Sequence, residues 1–269
     1  MNRKMIKKAG LCFVIIVLLL MAGDFIFLKY PLQLSSNFND QVKFQGEKLQ
    51  YGDIPLIVVK GTHYQQGYQH GKLLTREIKE LIDIMHDEIM TFSFNPEDLI
   101  EKNFIRYVAL RYFSYIPEKY KREMRGIADG AGVSLYDQGK ILHGRNLDYI
   151  YQKKLYNKQV LIYYQSADGL QLVSLGFPGY IGVLTGMNEQ GVTLGNLTSF
   201  AQENSIKGVP TGILYRKILE NAVDINDTES IIKNNPRTIG NNLMVTSSND
   251  GRGVVFELSA KEVIKREGK

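Results

Sequence analysis

Hydrophobic and polar positions fall into two textures along this chain. Ile54–Val59 is an unbroken apolar run closed by Gly61, the pattern of a buried strand. Thr62 then stands where a helix N-cap would. Beyond it Leu73, Leu74, Ile78, Leu81, Ile82 and Met85 recur near helical spacing, which predicts a helix that includes 65–69 and runs over 72–90. Pro96–Phe113 and Pro117–Ala128 predict two more helices, the last ending at Asp129-Gly130-Ala131-Gly132. The texture then changes. Residues 140–143, 147–149, 160–164, 170–175, 182–185 and 192–197 are short stretches rich in Val, Ile, Leu and Tyr, separated by Gly, Asn and Asp, and read as antiparallel strands. Asp168-Gly169 fits a tight hairpin turn between two of them. Helices are predicted over 211–223, behind Pro210, and 227–233, with Thr228 as a cap. A final hairpin, 242–247 and 253–258, turns at Asn249-Asp250-Gly251. Helices, sheet, helices and sheet again give an α+β layered fold.

The N-terminus follows another rule. Arg3, Lys4, Lys7 and Lys8 precede Ala9–Gly23, an unbroken run of apolar and small residues, and Phe25–Leu28 resumes it after Asp24. Fifteen residues are short for a span, but with Phe25–Leu28 the run reaches membrane length if Asp24 sits near the interface. Residues 1–30 therefore read as a single-pass anchor, with the flanking cations placing the bulk of the chain outside the cytoplasm. A cleaved signal peptide, giving a secreted protein, is the rival reading. Residues 31–50 are polar and weakly patterned and read as a linker, and 51–269 as one domain long enough for a sizeable core.

Composition narrows the function classes. The chain is 44% hydrophobic and 23% charged over 269 residues, which excludes a disordered chain, and its one long apolar run excludes a polytopic membrane protein. Four of the five net positive charges lie in residues 1–30, so the basic balance describes the N-terminus and points to no nucleic-acid partner. Cys12 is the only cysteine, so neither an intrachain disulfide nor a cysteine-built zinc site can form. It lies inside the apolar run, where it is a small hydrophobe and not a nucleophile.

Few residues stand out as chemistry. His63 and His70 are about two helical turns apart, but no third ligand is spaced with them for a metal; His86 falls on a polar helix face. No Gly-x-Ser-x-Gly turn, phosphate loop or dinucleotide glycine pattern is present. Asn196-Leu197-Thr198 and Asn226-Asp227-Thr228 match the glycosylation triplet, a pattern common by chance. Gly144-Arg145-Asn146-Leu147-Asp148 is different. An Arg and an Asp three apart in apolar surroundings are costly unless they pair with each other, pinning a strand end, or serve a function.

That GRNLD segment resembles the signature of the N-terminal-nucleophile hydrolases related to bile salt hydrolase, penicillin V acylase and acid ceramidase. Gly61–Leu74 (GTHYQQGYQHGKLL), Met124–Ser134 (MRGIADGAGVS), Gly176–Asn196, Gly208–Asn221 and Asn241–Leu258 resemble, in that order, the acyl-coenzyme A:6-aminopenicillanic-acid acyltransferase branch of the group. The resemblance implies a four-layer αββα sandwich. It implies a precursor that cleaves itself so that a Cys becomes N-terminal, attacks an amide or ester carbonyl and uses its own α-amino group as base. Asn side chains and backbone N–H groups would stabilise the oxyanion. The family's Arg and Asp near the nucleophile fall on Arg145 and Asp148, and a family Asn on Asn196. The resemblance implies no cofactor and no metal, and a small acyl-amide as substrate or ligand.

Two departures accompany it. The family's Cys opens a strand one hairpin before GRNLD, whereas here Ser134-Leu135-Tyr136-Asp137 runs directly into Gln138-Gly139-Lys140. The family strand after the last hairpin, with a Thr-Asn motif, has no counterpart before Lys269. Ser134 is the nearest hydroxyl, eleven residues before Arg145, and also suits a helix cap. The expectation is an amide hydrolase or acyltransferase scaffold that is incomplete and inactive without its nucleophile. A non-catalytic acyl-ligand binding protein at the cell surface, its pocket lined by 170–175 and 182–185, is the alternative.

Overall fold

The computed structural model describes residues 44–89, 96–133 and 158–267. The predicted anchor at 1–30 and the predicted strands at 140–143 and 147–149 lie outside them. Among the described residues no helix is long and apolar enough to cross a membrane.

The order of elements follows the two textures. Strands β1 (Glu47–Tyr51) and β2 (Ile54–Gly61) form a hairpin and are followed by four helices: α1 (His63–Leu73), α2 (Thr75–Ile89), α3 (Pro96–Tyr115) and α4 (Glu118–Ala131). Then come β3 (Val160–Ser166), β4 (Leu172–Gly176), β5 (Thr185–Asn188) and β6 (Val192–Thr198), helices α5 (Thr211–Asn221) and α6 (Ile225–Lys233), and strands β7 (Asn241–Ser247), β8 (Arg252–Leu258) and β9 (Val263–Glu267). All nine strands join one sheet in chain order. Every pairing is antiparallel except β2 with β3, where the intervening helices carry the chain back over the sheet so that Leu56 pairs with Leu161.

The fold is α+β, as the pattern predicts: a mixed sheet with helices packed on it. The sheet contacts of α1, α5 and α6 all fall on one face. The strands alternate accordingly. Ile57, Val59, Ile162, Tyr164, Leu194, Leu243, Val245 and Phe256 are buried beneath the helices, while their sequence neighbours point the other way. The described residues thus supply one helical layer and one sheet layer of the expected αββα arrangement.

Local chemistry accounts for the element ends. Thr62 caps α1 in a capping box: its hydroxyl accepts from the Gln65 N–H while Gln65 Oε1 accepts from the Thr62 N–H at 3.0 Å. The predicted long helix from 65 to 90 is broken at Leu74, which leaves helical geometry (ψ 26°), and Thr75 restarts the chain as α2. Gly132, in the left-handed region at φ 63°, ends α4. The cap of α6 is Asp224, whose carboxylate accepts from the Asp227 N–H at 2.8 Å; the predicted cap Thr228 is buried and donates to the Asp224 carbonyl. Residues 47–51, inside or beside the predicted linker, pair as β1. Residues 182–184, predicted as strand, form a buried loop, held by the Val183 N–H donating to the Gly212 carbonyl at 2.9 Å.

The tightest packing in the molecule joins α1 to α4, and glycine makes it possible. A Cβ placed on Gly67 would stand 2.0 Å from the Glu123 carbonyl oxygen and one on Gly71 2.2 Å from that of Ile127. Reciprocally, a Cβ on Gly126 would stand 2.2 Å from the Tyr64 carbonyl oxygen and one on Gly130 2.2 Å from that of Tyr68. Two Gly-x-x-x-Gly faces therefore interlock backbone to backbone. This crossing brings His63 of α1 against Glu123 of α4, where the most concentrated polar chemistry of the described residues begins.

Candidate functional site

Of the three residues the family resemblance implies, Arg145 and Asp148 lie outside the described residues, as does Ser134. Asn196 is described. It sits near the end of β6, paired with Leu243 of β7, and its backbone N–H donates to the Leu184 carbonyl at 2.9 Å. Its side-chain Oδ1 accepts from the Tyr215 hydroxyl on α5 at 3.0 Å. Burial of that phenol, with Tyr180 beside it, holds its pKa well above the ordinary tyrosine value, so Tyr215 keeps its proton and remains a donor. A tyrosine has one hydroxyl proton, and donating it to Oδ1 fixes which end of the amide faces α5. An Asn fixed in this way suits an oxyanion donor, which needs a preset orientation.

The second assembly is a buried ion cluster that sequence reading did not find. Arg216, on α5 beside Tyr215, has no solvent exposure. Its Nε donates to Glu220 Oε1 at 2.7 Å, one helical turn on, and its Nη2 to Glu123 Oε2 at 3.3 Å on α4. Nη1 donates to the Ile181 carbonyl at 3.2 Å, and the guanidinium carbon lies 3.5 Å from the centre of the Tyr164 ring on β3. Glu123 also receives His63 Nδ1 at 2.7 Å. Glu220 receives the Lys119 ammonium and the Tyr120 hydroxyl, the latter at 2.8 Å. The two carboxylates are thus matched by Arg216 and Lys119.

Electrostatics follow from that arrangement. Burial alone would lower the Arg216 pKa, but Glu123, Tyr164 and Glu220 outweigh it and hold the group above its usual value. Burial alone would raise Glu220, but Arg216, His63 and Lys119 leave it below the usual carboxylate range. His70, one face along α1, is pushed down to about 3 by burial and by Arg216, so it is neutral; its Nε2 accepts from the Gly179 N–H at 2.9 Å. His63 and His70 do share a helix, as their spacing suggests, but each is spent on a structural partner. Among the described residues no group of His, Cys, Asp and Glu is placed to hold a metal.

Burial decides what the cluster can do. Glu123 and Arg216 are sealed, Glu220 is 1% exposed and His63 4% exposed, so no substrate atom reaches them. The cluster ties α1, α4 and α5 to one another and, through Ile181 and Tyr164, to the loop before β5 and to β3. It is a keystone under Tyr215 and hence behind Asn196, not a reacting centre. Its sequence signal was present: Arg216 with Glu220 and Lys119 with Glu123 are both i,i+4 pairs on apolar helices, where charge is costly unless paired. The lining expected of the alternative binding reading is divided. Leu172 and Ile181–Leu184 lie in the core beneath the helices, whereas Val173 and Leu175 face the other side of the sheet.

Comparison with known proteins bears on this arrangement. The family of acyl-coenzyme A:6-aminopenicillanic acid acyl-transferase matches residues 135–269. Protein dcd1B of Dictyostelium discoideum is 26% identical over 280 residues, covering 87% of this chain and 56% of that protein. Acid ceramidase of Rattus norvegicus is 22% identical over 193 residues, covering 55% of this chain and 49% of that protein. The solved structure of the Caenorhabditis elegans N-acylethanolamine-hydrolyzing acid amidase ortholog superposes with a TM-score of 0.35 at 20% identity, over 45% of this chain and 57% of that one. The chain spans about half the length of the curated relatives it matches.

Proposed function

Because the chain belongs to the acyl-coenzyme A:6-aminopenicillanic acid acyl-transferase family, we propose that it is directed at small acyl-amides, binding them without cleaving or transferring the acyl group. The carrying observation is the single cysteine, Cys12, which leaves residues 13–269 with no thiol. In the chemistry the family resemblance implies, that thiol forms the acyl-enzyme, and neither oxyanion donors nor substrate binding replace it without a large rate loss. Arg145 and Asp148 would sit where the nucleophile is flanked. Asn196, oriented by Tyr215, would offer its amide to the carbonyl oxygen of a bound acyl-amide. The cationic flank of Ala9–Gly23 supports export and anchoring by residues 1–30 at the cell membrane, with the domain outside the cytoplasm.

A panel of N-acyl aminocoumarins of increasing chain length tests the reading. Saturable binding, read by displacement of a fluorescent fatty amide, with no coumarin release above the protein-free blank supports it. Release that scales with protein concentration overturns the loss of chemistry. N-terminal sequencing would then show whether Ser134 has become a chain terminus. Neither binding nor release overturns the assignment of acyl-amides as ligands.

A further inference from the structure

The face of the sheet away from the helices is apolar and, among the described residues, bare. Five of the large hydrophobic side chains that remain exposed, Leu49, Met187, Leu197, Met244 and Ile264, are 46–61% exposed, and the strand registers place them all on this one face. They belong to β1, β5, β6, β7 and β9, so the patch crosses the full width of the sheet. Eight inter-strand spacings of about 4.8 Å, with strands of about six residues rising about 3.3 Å each, give an area of roughly 750 Å². That exceeds the roughly 300–600 Å² of the largest apolar patch on a typical monomer. It matches the roughly 800 Å² that each partner contributes to a specific interface.

The polar groups of the face are already satisfied within it. The Tyr163 hydroxyl donates to Gln171 Oε1 at 2.6 Å, and the Thr193 and Thr246 hydroxyls bond each other at 2.6 Å. Such a face loses little when water is removed. Charge is confined to its two edges and paired there: Lys60 with Glu47 at 3.2 Å beside β1, and Arg266 with Glu257 at 2.8 Å beside β9. A surface that lies on a membrane carries an excess of cations along its rim, which these paired edges lack. An apolar centre inside a polar rim is instead the anatomy of a protein interface. The 24 residues at 134–157, drawn out as two strands, would span the width of only two of the nine.

We propose that this face is the interface with a second copy of the chain, two sheets stacked face to face about a two-fold axis running along β5. That axis sets Met187 of one copy beside Met187 of the other. It also brings the Lys60–Glu47 edge of each copy over the Glu257–Arg266 edge of its partner, so opposite charges meet on both flanks. Sheets stacked in this way keep their strands within about 30° of each other and enclose a core about 10 Å thick.

Light scattering on the full chain in a mild detergent, with the detergent contribution subtracted, should give twice the 30.6 kDa chain mass. In a Cys12→Ser background, Met187→Cys should cross-link to a dimer under mild oxidant, while Phe200→Cys, at a fully exposed loop position, should not. Met244→Asp should return the protein to monomer. A monomeric mass for the unmodified chain overturns the proposal. So does equal cross-linking at both positions, or binding of the Cys12→Ser chain to phosphatidylcholine vesicles that Met244→Asp abolishes. None of these readouts depends on acyl-amide binding, so this inference and the proposed function stand or fall separately.

Discussion

Replacing Arg216 by Met is the sharpest test of the buried cluster. The substitution keeps most of the side-chain length and apolar volume. It removes the donors to Glu220 Oε1 (2.7 Å) and Glu123 Oε2 (3.3 Å), the bond to the Ile181 carbonyl and the guanidinium over Tyr164. Two carboxylates are left in a sealed site. Glu220 keeps Lys119 and Tyr120, and Glu123 keeps His63, so the site is stripped only in part. Breaking a buried pair from one side costs about 3–5 kcal/mol because the surviving charge is uncompensated. Urea unfolding followed by far-ultraviolet circular dichroism should show a midpoint lowered by that amount divided by the unfolding slope, with the slope unchanged. Adding Glu123→Gln should recover part of the loss, since one stranded charge is gone; the double mutant should exceed the sum of the singles in stability by about 1–3 kcal/mol. A loss below about 1 kcal/mol for Arg216→Met, or strict additivity in the cycle, would refute the keystone reading.

The remaining expectations are quickly stated. His70 has a folded pKa near 3 against 6.5 unfolded, so the unfolded state binds the extra proton between those values. Its contribution is complete above pH 6.5 and is lost as pH falls toward 3, at up to about 1.4 kcal/mol per pH unit. The depressed pKa of Glu220 acts with the same sign, and unfolding midpoints measured from pH 7 to pH 4 should fall steadily, less so in His70→Gln. Gly67→Ala or Gly130→Ala should destabilise by about 1–3 kcal/mol through overpacking, although alanine is the better helix former; a stabilised variant would refute the close helix approach. Asp224→Ala should cost about 1 kcal/mol by thermal melting, and Thr228→Val less than a cap would, because Asp224 is the residue that bonds the first turn.

How much of this was legible beforehand depended on range. Period-two alternation and turn residues located β2, β3, β4, β6, β7 and β8, since each strand buries one face and its register is set by that face. Capping chemistry placed the start of α1 for the same local reason. The misses were non-local. Ile181–Leu184 has the composition of a strand, but it is buried under α5, where Gly182 and Gly212 let the chain pack against Tyr180. β1 and β9 are edge strands with exposed, charged sequences that only their partners make into sheet. Arg216 and Glu123 lie 93 positions apart, and nothing in either neighbourhood announces the other. Asn196 was found through family resemblance alone. Its tether to Tyr215 is a contact between a strand and a helix that only the folded chain brings together.

The buried cluster and the candidate site are linked by adjacency on one helix. Tyr215 and Arg216 are consecutive, so their side chains diverge by about 100° around α5. One points toward Asn196 at the end of β6; the other points back to Glu123 on α4 and the Ile181 carbonyl. Any rotation of α5 that freed Asn196 from Tyr215 would also have to break the pairs of a sealed arginine, which costs several kcal/mol. Asn196 is therefore held by a helix that cannot turn without unfolding its own foundation. That explains why the cluster is assembled from charges when apolar packing of the same volume would serve stability as well: directional pairs fix the helix in rotation as well as in place. The variant that separates these roles is Arg216→Met with both Glu123→Leu and Glu220→Leu. Apolar replacement of the whole cluster should preserve most of the stability. If rotation is what the charges control, acyl-amide affinity should nevertheless fall, whereas unchanged affinity would reduce the cluster to a stability element alone.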